Sequence, residues 1–454
     1  MAARAFALSL FFYSLLSMGD ANAQFSNQAA ASSWDFGGEY EIKLDFRKNF
    51  ALDPPNKDDL LRLDQELQLR SSYRYKDWIS VLMEGKVFGE HQLYTGGGAR
   101  RSEVDLERGE TWIRFDKLFG RDLSLKLGRQ NFDEPRKWWW DDDLDAVGLR
   151  YGAGPWRLEF AVSQEFVPVS LLDKSVEPEN KGVTRALARV NWRYFESHFL
   201  DLFFLHQNDK SATQSVGTPV QLSREDPSDA RLWWSGLRAS GKQMAGRFGE
   251  LSYWADIAIL TGSEKLLEYS EPVEKNALVT SRTKQRVRGW ALDMGGRWAS
   301  ELPAQPVFIL GYAIGSGDKN PDNGTDRAFQ QTGLQSNDEQ FRTYGELLRP
   351  ELSNLSVPLL AVQLPIFWRS HIEFAYRRFR QIYAAPLVRD GRIEADPDGL
   401  HKNIGQEWML YCLLKEWKNV EIELVGAAFR SGHAYGPLSG KVAYSFFTQV
   451  TWEF

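Results

Sequence analysis

The chain has 454 residues, and its Lys+Arg 55 against Asp+Glu 61 leave a net charge of -6, which argues against a nucleic-acid binder, because phosphate backbones require clustered cations. Its mean hydropathy of -0.43 resembles that of a soluble protein, and no segment is apolar for long enough to cross a bilayer as a helix. The single cysteine, Cys412, excludes an internal disulfide, and no Pro/Ser tract or linker divides the chain into domains.

At the N-terminus, 1–23 reads as a secretory signal. Arg4 supplies the positive charge, Phe6 to Leu16 the apolar run, and Ala21-Asn22-Ala23 the small-x-small cleavage site. Residues 24–454 then read as one unit built of strands. Tyr40, Ile42, Leu44 and Phe46 alternate with Glu39, Glu41, Lys43 and Asp45. Leu63, Leu67, Leu69 and Tyr73 alternate with Arg62, Asp64, Glu66, Gln68, Arg70 and Arg74. The pattern returns at Trp290, Leu292, Met294 and Trp298 against Ala291, Asp293 and Arg297, and at Trp368, Ile372, Phe374 and Tyr376 against Arg369, His371, Glu373 and Arg377. A period of two with one greasy and one charged face is a strand between an apolar and a wet medium; a helix would spread these charges around its surface.

Such strands are expected near 36–46, 60–75, 77–88, 110–117, 122–130, 144–151, 155–166, 184–194, 198–207, 231–239, 248–260, 286–298, 305–314, 356–364, 366–380, 404–416, 419–430 and 442–454. The count is about 18, even as in bacterial single-chain barrels. Tight connections at Lys76, 117–121, 152–154, 196–197, Pro365 and 417–418 contrast with long polar ones, including 89–109, 131–143, 261–285, 315–355 and 381–403. Short turns on one rim and long loops on the other predict an all-β transmembrane antiparallel barrel, with periplasmic turns and extracellular loops. The last segment, 441–454, alternates Phe446, Thr448, Val450, Trp452 and Phe454 with Ser445, Phe447, Gln449, Thr451 and Glu453. A soluble sandwich can end on such a strand too, but a terminal bare aromatic suits an interfacial girdle, as does an aromatic content of 13% with Trp 17 and Tyr 16.

Several blocks resemble the alginate export porins of Gram-negative outer membranes. They are Phe329-Gln330-Gln331-Thr332-Gly333-Leu334-Gln335-Ser336-Asn337, Tyr344-Gly345-Glu346, Glu351-Leu352-Ser353-Asn354-Leu355, Leu127-Gly128-Arg129-Gln130, Ile404-Gly405-Gln406-Glu407 and Ala434-Tyr435-Gly436-Pro437. The resemblance implies a monomeric 18-stranded barrel exporting an anionic polysaccharide, with an electropositive constriction that receives uronate carboxylates. Arg suits that task because its planar fork pairs with a carboxylate, and many weak sites pass a polymer where one tight site would hold it.

Carried over residue by residue, the resemblance implies pore-lining roles for Lys43, Arg70, Asp141 and Arg108, the last one residue out of register; Arg129, within the Leu127–Gln130 block, is expected to line the pore as well. Asn131, Asp338 and Glu423 stand where further constriction arginines are expected, and the family's long periplasmic turn is reduced to Trp417-Lys418-Asn419. These departures predict an altered selectivity, with Arg62, Arg70, Arg74, Arg189, Arg193, Arg369 and Arg377 either lining a different track through the pore or pairing with carboxylates such as Asp64, Glu66 and Glu373.

Other motifs weigh less. Asp141, Asp142, Asp143 and Asp145 lack the spacing and glycine of a calcium loop and read as a solvated acidic loop. Gly315-Ser316-Gly317-Asp318 lacks the Lys-Ser/Thr of a phosphate loop. Trp138-Trp139-Trp140 suits either sugar stacking or an interfacial girdle. The six histidines show no metal-ligand spacing, and no serine accompanies His371, so no catalytic residue, metal or cofactor is expected. The expected partners are an anionic polysaccharide, the outer-membrane bilayer and periplasmic export-complex proteins. A diffusion porin for small solutes is the alternative reading, favoured by the missing periplasmic turn.

Overall fold

A computed structural model describes residues 32–53, 59–97, 100–177, 180–211, 214–221, 228–270, 276–335 and 344–454. The expected signal at 1–23, and Asp338 with it, lie outside these residues. The wall consists of β1 (Ser32–Lys48), β2 (Leu60–Tyr75), β3 (Ile79–Thr95), β4 (Ser102–Phe115), β5 (Leu123–Asp133), β6 (Asp141–Ala153), β7 (Trp156–Gln164), β8 (Thr184–Phe195), β9 (His198–Asn208), β10 (Ser228–Met244), β11 (Glu250–Tyr269), β12 (Asn276–Ala299), β13 (Val307–Gly315), β14 (Leu355–Pro365), β15 (His371–Gln381), β16 (Asn403–Trp417), β17 (Val420–Ser431) and β18 (Val442–Glu453). Each strand pairs antiparallel with its sequence neighbours, and β18 pairs with β1 from Glu39↔Glu453 to Lys48↔Tyr444. The 18-stranded barrel is therefore closed, with no free edge. Two short strands, Pro219–Gln221 and Thr325–Asp326, are loop segments laid against β12.

The alternation sorts as expected in the lower wall. Trp34, Phe36, Met83, Phe160, Ile257, Ile259, Met294 and Leu310 are exposed on the outer face. At the short-turn rim, Trp156 stacks on Trp192 with ring centres 5.1 Å apart, and Trp452 lies 5.0 Å from Phe454, forming an aromatic belt. The turn at 418–419 is as tight as expected, with Asn419 at φ 62°.

Several strands run well past the predicted ends. β3 continues to Thr95, β11 to Tyr269, and β12 begins at Asn276 instead of 286. Above the bilayer both faces are wet, so the two-residue hydropathy period fades while backbone pairing continues. Trp368 and Arg369 are the opposite case. They were expected on a strand, but β15 starts at His371 and both residues lie exposed in the 366–370 turn. Glu416 organises that turn, accepting from the Arg369 N–H at 2.9 Å and the Ser370 hydroxyl at 2.7 Å.

Closure ends on the last residue. Phe454 and Gly38 exchange both backbone hydrogen bonds, at 2.9 and 3.0 Å. A Cβ on Gly38 would meet the Phe454 ring and the Gln68 carbonyl, so only glycine fits beneath this ring. Gly38→Val should cost about 1–3 kcal/mol by overpacking. Heat-modifiable gel migration after a urea challenge is expected to show less folded barrel than wild type.

Candidate functional site

The lumen is not the open, polar-walled channel that alternation suggests. Inward positions on β9 to β12 are apolar, including Phe203, Leu205, Leu232, Trp234, Leu260 and Val287, and all are buried. What covers them is the tip of the β5–β6 hairpin. Residues 134–140 cross the lumen, and Trp138, Trp139 and Trp140 are 3%, 1% and 3% exposed. Trp139 stacks on Phe203 at 4.8 Å and lies where a Cβ on Gly236 of β10 would be, so this strand carries glycine to admit the ring. The three tryptophans are thus neither a girdle nor an open sugar platform. They form the core of a plug.

Ion pairs lock the tip in place. Arg136 reaches Asp256 of β11 and, at 3.0 Å, Asp293 of β12. Arg238 of β10 pairs with Glu134 and, at 2.7 Å, with Asp256. Indole N–H groups complete the network: Trp139 donates to Asp256 at 3.1 Å and Trp254 to Asp293 at 2.7 Å. Burial alone would raise the Glu134 carboxyl, but the Arg238 guanidinium and backbone N–H donors outweigh it and hold Glu134 below the ordinary value.

Two further loops pack onto the tip. The Thr332 hydroxyl donates to the Trp139 carbonyl at 2.5 Å, and the Asp141 N–H to the Leu334 carbonyl at 2.7 Å. Tyr344 accepts from the Trp138 indole and donates to Asp293, both at 2.6 Å. Glu407 of β16 then accepts the successive N–H groups of Glu346, Leu347 and Leu348 at 2.6, 3.1 and 3.0 Å, pinning this loop to the wall. The blocks Phe329 to Gln335 and Tyr344 to Leu355 therefore serve chiefly to build the plug.

Because the hairpin leans inward, β5 pairs with β4 only from Thr111 to Phe115. The upper edge of β4 is covered instead by the loop after β7, with the Arg108 N–H donating to the Val169 carbonyl at 3.0 Å and the Leu171 N–H to the Leu106 carbonyl at 2.7 Å. Arg108, expected in the pore, lies on the outer-face register of β4, beyond an irregularity opposite Met83 and Gly85. It forms a bidentate pair with Asp145, both contacts 2.7 Å, and donates to the Val167 and Pro168 carbonyls. It seals a seam.

The other expected pore residues are scattered. Lys43 is on the lumen face of β1 with its amine 4.9 Å over the Phe447 ring. Arg70 is exposed on the lumen-face register of β2 towards the short-turn rim, and Arg193 is exposed near the same rim on β8. Arg129 sits on the back of the leaning hairpin, its Nε buried and without a hydrogen-bond partner among the described residues, and its charge within reach of Glu107. Asp141 pairs with Lys137 at 3.0 Å. Asp143 accepts from Asn131 at 3.1 Å and Asp145 is held by Arg108, so the acidic run is divided among separate donors. Arg62 pairs with Asp64 at 2.8 Å and Glu90 at 2.9 Å, and Arg189 with Asp201 at 2.8 Å. Arg377 is 6% exposed, and its Nε and Nη1 make no hydrogen bond among the described residues.

Below the tip, on the wall from β4 to β8, a pocket opens to the lumen. Arg114, Lys126, Arg150 and Arg189 line it together with Glu159 and Trp140. Arg114 and Lys126 are register partners, as are Glu159 and Arg189, so strand pairing gathers cations from distant parts of the sequence. Arg114, Lys126 and Arg150 were missed by sequence reasoning. Each is an inward charge on a strand, and only the register brings them together.

A family model described as alginate export matches residues 32–448. The alginate production protein AlgE of Pseudomonas aeruginosa is 25% identical over 352 residues, covering 73% of this chain and 70% of that one. Among solved structures, Acinetobacter baumannii OccAB1 superposes with a TM-score of 0.59 at 9% identity, covering 96% and 99% of the two chains. Pseudomonas aeruginosa OpdK with vanillate gives 0.54 at 11% identity, covering 92% and 98%. At such identities these two show the fold alone. The family description names export, and another of the solved structures, OpdK of Pseudomonas aeruginosa, is described as an outer membrane protein.

Two outcomes follow from the plug. Glu134→Ala leaves Arg238 buried with half its partners, at a cost of about 3–5 kcal/mol. The tip should release, and single-channel conductance in planar bilayers should rise several-fold. Glu351, in the pinned loop, donates its N–H to the Arg389 carbonyl, and burial, with Arg389 opposing and Asp390 reinforcing, pushes its carboxyl from 4.5 to about 7. A raised acid favours the packed loop fully below its free value, and the contribution is lost as pH rises from 4.5 through about 7. Limited proteolysis of the 344–354 loop should accelerate across that window, and Glu351→Gln should flatten the dependence.

The match across 32–448 and the closed 18-stranded wall together place this chain in the alginate export family of outer-membrane β-barrels.

Proposed function

We propose that the protein is an outer-membrane channel exporting an exopolysaccharide of the polyuronate class, which diffuses passively from the periplasmic rim through a charged lumen. The observation that carries this reading is the pocket formed by Arg114, Lys126, Arg150 and Arg189 in a barrel of this family. All four of these cations are already paired: Arg114 with Asp116 at 2.9 Å, Lys126 with Glu110 at 3.3 Å, Arg150 with Glu159 at 3.4 Å and Arg189 with Asp201 at 2.8 Å. An uronate carboxylate would exchange with a protein carboxylate rather than fill a bare site, which gives the weak, repeated binding that polymer transport needs. Low-dielectric walls strengthen the field felt by the polymer.

In this reading residues 1–23 direct secretion and are removed, the barrel acts as a monomer, and periplasmic export proteins deliver the polymer to the short-turn rim. Lys43, Arg70, Arg129, Asp141 and Arg193 remain proposed contacts along the path; Arg108 and Arg369 do not, given their positions. The lumen core favours a second reading, a porin for small solutes, because a path narrowed by 134–140 and 344–354 suits a short molecule as well as a single polymer strand. The two readings separate in bilayers and cells. Oligouronate should block the current of the wild type, and Lys126→Gln with Arg150→Gln should weaken that block about tenfold or more, at roughly 1 kcal/mol for each partly exposed contact. An oligouronate-insensitive, cation-selective current would rule out the export reading.

A further inference from the structure

Outside the lumen, β12 carries a second cationic surface. Its outward face reads, from the short-turn rim upward, Trp298, Met294, Leu292 and Trp290, then Arg288, Arg286, Lys284 and Arg282. Trp290 is 50% exposed and Met294 42%, as lipid-facing residues are, and the four cations above them are exposed as well. From Trp298 to Trp290 a tilted strand climbs on the order of 20 Å, close to the apolar height of a barrel wall. The charges thus begin where the outer leaflet turns from acyl chain to headgroup.

Neighbouring strands extend the surface at the same level. Register places Thr261 of β11 beside Arg288, with Trp233 of β10 on its other side. One step higher are Arg286, Ser263 and Arg231, and above them Lys284, Lys265 and Asp229. Asp229 occupies two of the cations, Lys265 and Arg282, at 3.4 Å each. Lys284, Arg286, Arg288 and Arg231 make no ion pair among the described residues. Across three strands the patch spans on the order of 10–15 Å, the size of a sugar headgroup bearing two phosphates.

We propose that this surface binds the phosphorylated glycolipid of the outer leaflet, with acyl chains on Trp233, Ile259 and Trp290 and phosphates on Arg231, Lys284, Arg286 and Arg288. Arginine forks pair with phosphate oxygens bidentately, and the aromatic row below continues the lipid-facing wall. A polymer threading the lumen does not meet these side chains, because they lie on the other side of the wall. The assignment rests on the barrel and its register, independently of what the lumen carries.

The test uses the full-length protein in phosphatidylcholine nanodiscs, with bis-phosphorylated lipid A and its phosphate-free counterpart as probes. Wild type should retain the phosphorylated probe preferentially. K284Q/R286Q/R288Q should bind it on the order of a hundredfold more weakly, as expected for three lost cations at an anionic surface, with heat-modifiable migration and conductance unchanged. K242Q, at the opposite rim, should bind as wild type; single R286Q and R288Q variants give graded losses should the triple fail to assemble. Wild-type binding by K284Q/R286Q/R288Q, or by both single variants, or equal binding of the phosphate-free probe, overturns the assignment. So does patch-dependent binding of oligouronate in place of the glycolipid.

Discussion

Two arginines and three carboxylates, taken out of water inside the barrel, set the interior architecture of this protein. Placing the Arg136 and Arg238 charges among Phe203, Trp139 and Trp254 would be costly without Glu134, Asp256 and Asp293, and the carboxylates depend equally on the arginines. Such clusters contribute less to net stability than to uniqueness, since only one arrangement satisfies every member. Here that arrangement joins a hairpin from β5 and β6 to the wall at β10 to β12, across the lumen. The apolar inward faces of β9 to β12, out of place beside water, follow from being covered.

The same lean has a consequence on the wall. With β5 drawn inward, half of β4 would present unpaired backbone groups, a costly situation where water is scarce. The segment 167–171 supplies the missing partners, and the Arg108–Asp145 pair ties that segment to the hairpin. Arg108 therefore acts on the structure of the seam, whereas the pocket cations Arg114, Lys126, Arg150 and Arg189 face the path left open below. A wall defect and a narrowed path share one cause.

The relation to the family is correspondingly selective. The blocks that carry the resemblance, around Phe329, Tyr344 and Glu407, are plug-building residues, whereas several positions expected to line the constriction have other surroundings. Asn131 binds Asp143, and the two-residue turn at 418–419 closes nothing. In this chain the path is narrowed by loops from the extracellular side. That leaves Arg114, Lys126, Arg150 and Arg189 along the lower wall, on the short-turn side of the tip.

The sequence alone determined the strand count, the orientation of the connections and the lipid-facing set, because a two-residue hydropathy period is local and one face of each strand must meet hydrocarbon. It also located the long loops. It could not say that 134–140 would turn inward, since tryptophans suit a girdle, a sugar platform and a buried core alike, and only the ion partners on β10 to β12, more than 100 residues away, decide among them. Nor could it assemble the pocket: Arg114 meets Lys126, and Glu159 meets Arg189, only once register is set, and a one-residue shift would turn each to the opposite face. Local alternation is written residue by residue, whereas the interior depends on which distant charges can neutralise one another out of water, and only the closed barrel brings them within reach.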